Sequence, residues 1–290
     1  MQAIVIIPHY DDTDRLARCL AALMPQVETA SPATGVVVVD NGSRQPLDAL
    51  RAAHPQVTFL TEPRKGAAMA RNRGVAATQA EQLFFLDCDC VPAPDWLANA
   101  HHLAAKGTGD VIGGTITLFD ETPAPRSGAE AFETVFAFDN RRYVQVRGFS
   151  VTANLLTTRR VFTAVGDFTP GLSEDLDWCH RATAAGFSLI HEDALRVAHP
   201  TRADWPALER KWRRLTQESW GLEGRGIAAR LRWGLRGLAM TLSILAHAPR
   251  VLRSTALVRP GERRAALATL ARLRLRRCGW MLRQALGQQI

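Results

Sequence analysis

The sequence predicts an α/β fold with a mixed, mainly parallel sheet of Rossmann-like type and helices on both of its faces. Short apolar runs rich in Val, Ile, Leu and Phe recur through the first part of the chain, helical patterns separate them, and turn residues bound each run. Strands that alternate with helices in this way pair in parallel, because the helix carries the chain back across the sheet. With 290 residues, 47% of them hydrophobic, the chain can bury a large core.

The first part of the chain contains four predicted strands. They are Ala3–Ile7, Gly35–Val39, Val57–Leu60 and Leu83–Leu86, and the predicted helices between them are Thr13–Leu23, Pro46–Ala53 and Gly66–Ala77. Polar residues follow the first, second and fourth strands. In open α/β sheets the carboxyl ends of the strands line the ligand crevice, so we expect the chemistry at that edge.

The alternation becomes less regular after Pro94. We predict helices over Asp95–Ala105, Ala129–Asn140 and Arg159–Val165, and strands over Val111–Leu118, Ser150–Leu156 and Leu195–Ala198. A further helix should begin after the N-cap Ser173 and end at Gly186, the residue type that the C′ position prefers. Its first turn carries acids, which in the simplest interpretation only complement the helix dipole.

One predicted strand end and one helix start offer places for a nucleotide. Asp40 and Asn41 follow a run of four valines, and a carboxylate there can accept a hydrogen bond from a base or a ribose. The alternative is an ordinary turn, since Asp, Asn, Gly and Ser favour turns. Gly66–Gly74 is a helix start of small residues that carries Arg71, a side chain able to bind phosphate or base edges. A solvated surface helix is the alternative there.

The most informative stretch follows the fourth strand, where Asp87 and Asp89 stand two residues apart. Two such carboxylates can share one hard divalent cation, Mg²⁺ or Mn²⁺, which keeps open positions for substrate phosphates. Without a cation, two unpaired carboxylates at a buried strand end would be costly. His199 is a candidate further ligand, with a structural histidine as the alternative. We do not predict zinc at Cys88 and Cys90, because neighbouring side chains alternate in direction and no second Cys pair exists.

Taken in order, these segments resemble the inverting family 2 glycosyltransferases, which have the GT-A fold. The motifs that carry the resemblance are Ile6–Tyr10, Val38–Ser43, Gly66–Gly74, Asp87–Asp89 and Ser173–Trp178, within a region from about Ala3 to Trp220. Each motif is weak alone, and their order and spacing make the set specific. The resemblance implies an enzyme that moves a sugar from a nucleotide-diphosphate donor, with inversion and with Mn²⁺ or Mg²⁺ as cofactor.

The resemblance also implies a role for each site residue. The nucleotide-binding residues would be Pro8, Tyr10, Asp40, Asn41, Arg71 and Asp87, and the metal ligands would be Asp87, Asp89 and His199. Asp175 would be the catalytic base that deprotonates the acceptor, with Glu174 beside it. The residues in contact with the sugar or the acceptor would be Asn154, Arg160 and Trp178.

The resemblance divides the chain into a catalytic domain, residues 1–222, and a helical tail, residues 223–290. The nucleotide-binding part of the domain would end at about 106, and the acceptor part would cover 107–222. Two departures from the family's pattern stand out: Asp11 replaces the usual asparagine, and Lys211–Arg214 only partly matches the motif of processive members. The incomplete processive motif favours transfer of a single sugar. By analogy with the family we expect a uridine-linked donor, and the basic tail suggests a glycan or lipid-linked acceptor, in cell-surface polysaccharide or glycolipid synthesis.

The tail is strongly cationic. From Arg225 to Ile290 there are fourteen arginines, no lysine and one acid, Glu262, so this segment carries +13 and the rest of the chain −5. Helices are predicted over Ile227–Leu245 and Glu262–Gln284. Their longest uncharged stretch, Gly237–Pro249, is shorter than the roughly 20 residues that span a bilayer.

A cationic, partly apolar tail suits the surface of an anionic membrane. We expect the arginines of the tail to reach lipid phosphates. Trp233 and Trp280 would lie at the membrane–water interface. The alternative is a helical hairpin that packs on the catalytic body or on a second subunit of a homo-oligomer. Nucleic acid is disfavoured as a partner because aromatic residues do not interleave with the arginines.

The cysteines and the N-terminal residues indicate the compartment of the protein. Five scattered cysteines and an N-terminus that runs directly into a core strand predict a cytoplasmic protein, held at the inner face of the membrane.

Two alternative functions stay open. The first is a nucleotidyltransferase acting on sugar phosphates, although such an enzyme would need a Gly-rich loop after the first strand. A non-catalytic nucleotide-sugar-binding module for membrane assembly is the other alternative, and the intact Asp87, Asp89 and Asp175 argue against it.

Overall fold

A computed structural model describes residues 2–171, 173–224 and 226–290, so Arg225, the predicted start of the cationic tail, lies outside the described residues. The strands are β1 (Ala3–His9), β2 (Thr34–Asp40), β3 (Thr58–Thr61), β4 (Gln82–Leu86), β5 (Val91–Pro92), β6 (Val111–Phe119), β7 (Asn154–Thr158) and β8 (Leu189–Pro200). The helices are α1 (Thr13–Thr29), α2 (Asp48–Ala53), α3 (Ala67–Ala76), α4 (Trp96–Lys106), α5 (Gly128–Phe136), α6 (Asn140–Arg147), α7 (Arg159–Val165), α8 (Glu174–Ala184), α9 (Trp205–Leu222), α10 (Ile227–Leu252) and α11 (Pro260–Ala285).

The strands form one sheet in the order β3-β2-β1-β4-β7-β6-β8-β5. β1 runs parallel to β2 and β4, β2 runs parallel to β3, and β7 is antiparallel to β4 and β6. The predicted α/β fold with a mixed, mainly parallel sheet is therefore confirmed. Asn154 of β7 pairs with Leu86, whereas Thr158 pairs with Gln82 at the opposite edge of the sheet.

The core lies on both faces of the sheet. β1 is buried along its whole length, which explains why its sequence is a continuous apolar run. Its side chains alternate between two hydrophobic clusters: Ala3, Val5 and Ile7 belong to one, and Ile4 and Ile6 belong to the other. Side chains of α1 complete the first cluster and side chains of α3 the second, so helices cover both faces as predicted.

The helix predicted over Ala129–Asn140 is present as α5, but it ends four residues earlier than predicted, and the helix α6 that follows was not predicted. α5 begins with a capping box between Ser127 and Glu130 and ends at Phe136. The chain then turns at Phe138, whose φ of 42° is incompatible with a right-handed helix. Only after this residue does α6 begin.

The chain divides into two compact units. The first contains the residues up to Thr117 and Phe138–His199, and the second contains Leu118–Ala137 and Pro200–Ile290. The second unit has a hydrophobic core of its own, built from α5, α9, α11 and the end of α10. α9, predicted as part of the catalytic domain, and α5 thus belong with the C-terminal helices.

Trp233 and Trp280 lie inside this second unit. They are 1% and 6% exposed, and Trp233 Nε1 donates a hydrogen bond to Gln284 Oε1 at 3.0 Å. The prediction that these indoles lie at membrane depth is therefore wrong, because both rings are buried within the protein. In the described part of the chain, no helix is both long and apolar enough to cross a membrane.

Candidate active site

The carboxyl ends of β1, β2 and β4 bring polar side chains to one edge of the sheet. His9 at the end of β1 pairs with Asp40 at the end of β2. β4 is the other parallel neighbour of β1, and Asp87 follows it directly. The predicted nucleotide residue of β2 and the predicted metal motif after β4 therefore lie at the same edge, as the strand pattern indicated.

Asp40 is held by its neighbours. Its Oδ1 lies 3.2 Å from His9 Nδ1, and the backbone N–H of Ser43 donates to the same oxygen at 3.3 Å. His9 Nε2 accepts a hydrogen bond from the backbone N–H of Asp12 at 3.2 Å, so the neutral ring carries its proton on Nδ1 and donates it to Asp40. We predicted no role for His9. Its position at the end of the first strand, beside the end of the second, could have indicated that it orients Asp40.

Two further predicted nucleotide residues are the chain neighbours of His9, and a third has another role. Pro8 is buried, and the side chain of Tyr10 is 53% exposed, so its ring is open to a ligand. Asn41 holds the loop before α3: its Nδ2 donates to the carbonyl oxygens of Glu62 and Arg64, at 2.9 and 2.8 Å. Because both donors of this buried amide are used, the structure corrects the prediction that its side chain binds the nucleotide.

Arg71 links the end of β4 to the start of α8. Its Nη2 donates to Asp87 Oδ1 at 2.6 Å, its Nη1 donates to Glu174 Oε1 at 2.8 Å, and its side chain is only 4% exposed. Its Nε is buried without a hydrogen-bond partner among the described residues. Arg71 was predicted to bind the nucleotide, whereas in the structure it neutralises two carboxylates of the predicted catalytic machinery.

A close contact between α3 and β1 positions Arg71. A Cβ atom on Gly74, one turn further along α3, would lie 2.6 Å from Ile6 Cγ2. Only glycine allows the helix to lie this near the strand. The small residues of this segment therefore fix the helix on the sheet and, with it, the guanidinium of Arg71.

Asp89 and His199 bring a carboxylate oxygen and an imidazole nitrogen, both possible metal-ligand atoms, next to each other. β5 pairs with β8 so that Val91 stands opposite Ala198, and this register brings Asp89 Oδ2 to 3.1 Å from His199 Nε2. Two ligands about 2.1 Å from one octahedral cation, in adjacent positions, are about 3 Å apart. The pair therefore fits a divalent cation.

The predicted third ligand is engaged elsewhere, because Asp87 is paired with Arg71. Within residues 2–171, 173–224 and 226–290, no three His, Cys, Asp or Glu side chains are arranged as a metal site. A cation at Asp89 and His199 would complete its shell with substrate phosphates, as Mg²⁺ does where a protein offers one or two ligands. All five cysteines are free.

Asp175 lies in the first turn of α8, next to Glu174. Burial and the negative charge of Glu174 raise the pKa of Asp175 to about 7. The backbone N–H of Leu176 donates to Asp175 Oδ1 at 2.8 Å and acts in the opposite direction. A carboxyl group with this pKa can take up and release a proton near neutral pH. Ser173 is the N-cap residue of α8, as predicted, although its side chain makes no capping hydrogen bond. The predicted end of the helix at Gly186, with φ 88°, is also confirmed.

Asn154 and Trp178, predicted to contact the sugar or the acceptor, are structural residues. Asn154 is buried, accepts a hydrogen bond from Trp96 Nε1 at 2.9 Å and donates to two backbone carbonyls. Trp178 is fully buried, and its Nε1 donates to the carbonyl oxygen of Gly166 at 2.9 Å. Both side chains are enclosed and satisfied, so the structure corrects both predictions.

Arg160 lies at the wrong edge of the sheet for contact with the sugar. It lies two residues after Thr158, the last residue of β7, and Thr158 pairs with Gln82 at the start of β4 rather than at its end. Its Nη2 forms an ion pair with Asp110 Oδ1 at 2.6 Å. The prediction for Arg160 is therefore corrected as well, and the acceptor pocket has to be built from other residues.

Known proteins are similar to this chain in sequence. The family model described as glycosyl transferase family 2 matches residues 4–173. The glycosyltransferase AglE of Haloferax volcanii is 31% identical over 217 residues, which is 72% of this chain and 70% of that protein. The pre-mycofactocin glycosyltransferase of Mycobacterium tuberculosis is 29% identical over 215 residues, covering 70% of this chain but only 44% of the relative.

Solved structures share the fold. The mannosyltransferase PcManGT from Pyrobaculum calidifontis, in complex with GDP-Man and Mn²⁺, has a TM-score of 0.57 at 19% identity, over 99% of this chain and 73% of that one. GalNAc-T7 with UDP, GalNAc and Mn²⁺ has a TM-score of 0.53 at 17% identity, over 74% and 47%. With the fold, the family match and the AglE similarity taken together, this chain belongs to family 2 of the glycosyltransferases and is an enzyme of that class.

Proposed function

We propose that the protein transfers one sugar from a nucleotide-diphosphate donor to an acceptor hydroxyl, with inversion and with a divalent cation. The observation that carries this proposal is the double ion pair of Arg71, which joins Asp87 after β4 to Glu174 at the start of α8. It keeps Asp175, whose pKa is about 7, within electrostatic reach of the metal motif. These contacts support a single site for the residues that would act on the leaving group and on the acceptor.

Asp175 is the general base in this proposal. Its carboxylate takes the proton from the acceptor hydroxyl while that oxygen attacks the anomeric carbon. The bond from the anomeric carbon to the diphosphate oxygen breaks on the opposite face, so the configuration is inverted. The raised pKa supports this role, since a base works best when its pKa is near the working pH.

The departing diphosphate gains negative charge that the site must balance. Asp89 and His199 would hold Mn²⁺ or Mg²⁺, which when bound stabilises negative charge on the diphosphate. The 3.1 Å approach of Asp89 to His199 supports this, as does the Mn²⁺ in both solved structures of the same fold. Arg71 keeps the carboxylates around it from repelling one another and the donor.

The nucleotide would bind at the ends of β1 and β2. We infer that Asp40, oriented by His9 and Ser43, accepts a hydrogen bond from the base. The exposed ring of Tyr10 would pack on the base, with Pro8 beneath. We favour a uridine donor, and because one solved structure of this fold contains GDP-Man and the other UDP, both donors have to be tested.

The acceptor in this proposal is a glycan or a lipid-linked sugar, used in cell-surface polysaccharide or glycolipid synthesis. Support comes from the basic C-terminal segment, and the incomplete processive motif at Lys211–Arg214 favours the addition of one sugar per encounter. Once the donor is known, a screen of glycan and lipid-linked acceptors tests this assignment, and transfer to neither class would contradict it.

Release of nucleoside diphosphate from a panel of nucleotide sugars tests the proposal. The protein is incubated with uridine- and guanosine-linked sugars and Mn²⁺, with and without EDTA. We expect slow release from one donor, loss of that release in EDTA, and recovery with added Mn²⁺ or Mg²⁺. Full activity in EDTA would contradict the cation, and release of pyrophosphate would indicate a nucleotidyltransferase. Binding of a donor without any turnover would indicate a non-catalytic module.

A further inference from the structure

The outward face of α10 carries a long apolar stripe. It consists of seven side chains that are 51% to 79% exposed: Ile227, Leu231, Leu235, Leu238, Leu242, Leu245 and Leu252. Most of them recur every three or four residues, so they lie along one side of the helix for about 38 Å. We call these seven residues the α10 stripe.

The α10 stripe is not the side on which the helix packs. Trp233, Gly234 and Gly237 are buried and face α11. A Cβ atom on Gly237 would lie 3.0 Å from Met281 Cβ, and one on Gly234 would lie 3.5 Å from Ala285 Cβ. Single exposed leucines are common on protein surfaces, but a continuous exposed stripe opposite the packing side marks an interaction surface.

Arginines flank the α10 stripe, and acids do not. The segment 227–252 contains no Asp or Glu. Apart from the stripe, the exposed residues of the helix and its C-cap are alanines, Pro249 and five arginines: Arg230, Arg232, Arg236, Arg250 and Arg253. Arg236 pairs with Glu223, which precedes the helix, at 2.7 Å. A surface of leucines and arginines is complementary to a partner that offers apolar chains together with anionic groups.

A lipid surface fits this description better than a second copy of the chain. The spacing of the stripe would suit a two-helix coiled coil, but Arg232 and Arg253 occupy flanking positions at which coiled coils pair opposite charges. Because α10 contains no acid, two copies would bring arginines against arginines. Anionic lipids offer phosphates to the arginines and acyl chains to the leucines.

We propose that the α10 stripe binds the headgroup region of a membrane that contains anionic lipids. The helix lies in the plane of the surface, its leucines reach the upper acyl chains, and the flanking arginines contact the phosphates. This inference goes beyond the proposed function, because it concerns a face of the second unit and uses no residue of the proposed active site.

Co-sedimentation of the full chain with lipid vesicles tests the proposal. The protein should pellet with vesicles of phosphatidylcholine mixed with phosphatidylglycerol, far less with phosphatidylcholine alone, and added salt should release it. Leu235→Gln combined with Leu242→Gln retains helix propensity and should weaken binding at least about tenfold. Leu275→Gln changes an exposed leucine of α11 outside the stripe, and it should bind like the wild type.

Donor hydrolysis without acceptor separates this proposal from the proposed function. Release of nucleoside diphosphate should be equal in the wild type, the double variant and the control, whether or not vesicles bind. A wild-type protein that stays in the supernatant with anionic vesicles would overturn the proposal, and so would a double variant that pellets like the wild type. A wild-type dimer in analytical ultracentrifugation that becomes monomeric in the double variant would assign the stripe to a second copy instead.

Discussion

At the scale of single residues, Asp175 determines how the proposed reaction depends on pH. A base must be ionised to take a proton, and the pKa of Asp175 is about 7. We therefore expect kcat to rise about tenfold per pH unit below pH 7 and to level off above it. Asp175→Asn cannot accept the proton, so it should lower kcat by about 10²- to 10⁴-fold while donor affinity stays nearly unchanged.

The matched control for this prediction is Asp177→Asn. Asp177 lies in the same turn of α8, but its carboxylate pairs with Arg181 at 3.0 Å. This variant should keep the wild-type rate and pH profile in the assay of nucleoside diphosphate release. A wild-type rate in Asp175→Asn, or a flat profile between pH 5 and 9 in the wild type, would show that Asp175 is not the base.

Arg71 is the residue on which the arrangement of the site depends. Arg71→Met has a similar length but leaves Asp87 and Glu174 without their shared cation. Because both carboxylates are partly exposed, the loss in free energy of unfolding should be below the roughly 3–5 kcal/mol of fully buried pairs. Arg71 also lowers the pKa of Asp175, so any remaining activity should rise at higher pH than in the wild type.

Urea denaturation and the pH–rate profile measure these two effects separately. Arg73→Met is the control, because Arg73 lies on the same helix with an exposed side chain. It should change neither the unfolding midpoint nor the profile. An Arg71→Met protein with wild-type kcat at every pH would show that the ion pairs have no part in positioning the base.

At the scale of elements, the position of α3 on β1 depends on Gly74. Gly74→Ala would place a methyl group 2.6 Å from Ile6 Cγ2, so the helix has to move and Arg71 with it. We expect a lower melting temperature and at least about tenfold lower kcat, since misplacement of about 1 Å can cost that much. Gly279→Ala in α11, where a Cβ meets nothing within 4 Å, should be neutral or slightly stabilising. Equal stability of the two variants would contradict the packing argument.

Elements with a strong local pattern could be predicted, and those set by tertiary contacts could not. β1 is buried on both faces, so its apolar run identified it directly. The break at Phe138 has no Gly or Pro to signal it. Asp175 was found through its motif, but nothing in the motif shows that the indole of Trp178 turns into the core. Sequence alone could not show that the Asn154 side chain is fully hydrogen-bonded, because its three partners come from distant segments of the chain.

At the scale of the whole molecule, the charge asymmetry was visible in the sequence but its arrangement was not. Composition alone predicted a basic tail after a nearly neutral body. The structure shows instead that α5 and α9 join the C-terminal helices in one unit with its own core. Apolar residues of α10 point in two directions, and only three-dimensional packing separates the buried Trp233 from the exposed leucines.

The last prediction concerns the stability of the whole protein. Asp40, Asp89 and His199 all lie in the first unit, and a ligand that binds only the folded state stabilises it by about 2.7 kcal/mol at a hundredfold excess over its Kd. Mn²⁺ together with UDP should therefore raise the melting temperature in calorimetry more than the sum of their separate effects, and EDTA should remove the excess. Asp89→Asn should abolish this cooperative shift, whereas Asp95→Asn, an exposed carboxylate paired with Arg196, should retain it. A cooperative shift that survives in Asp89→Asn would exclude this carboxylate from the cation site.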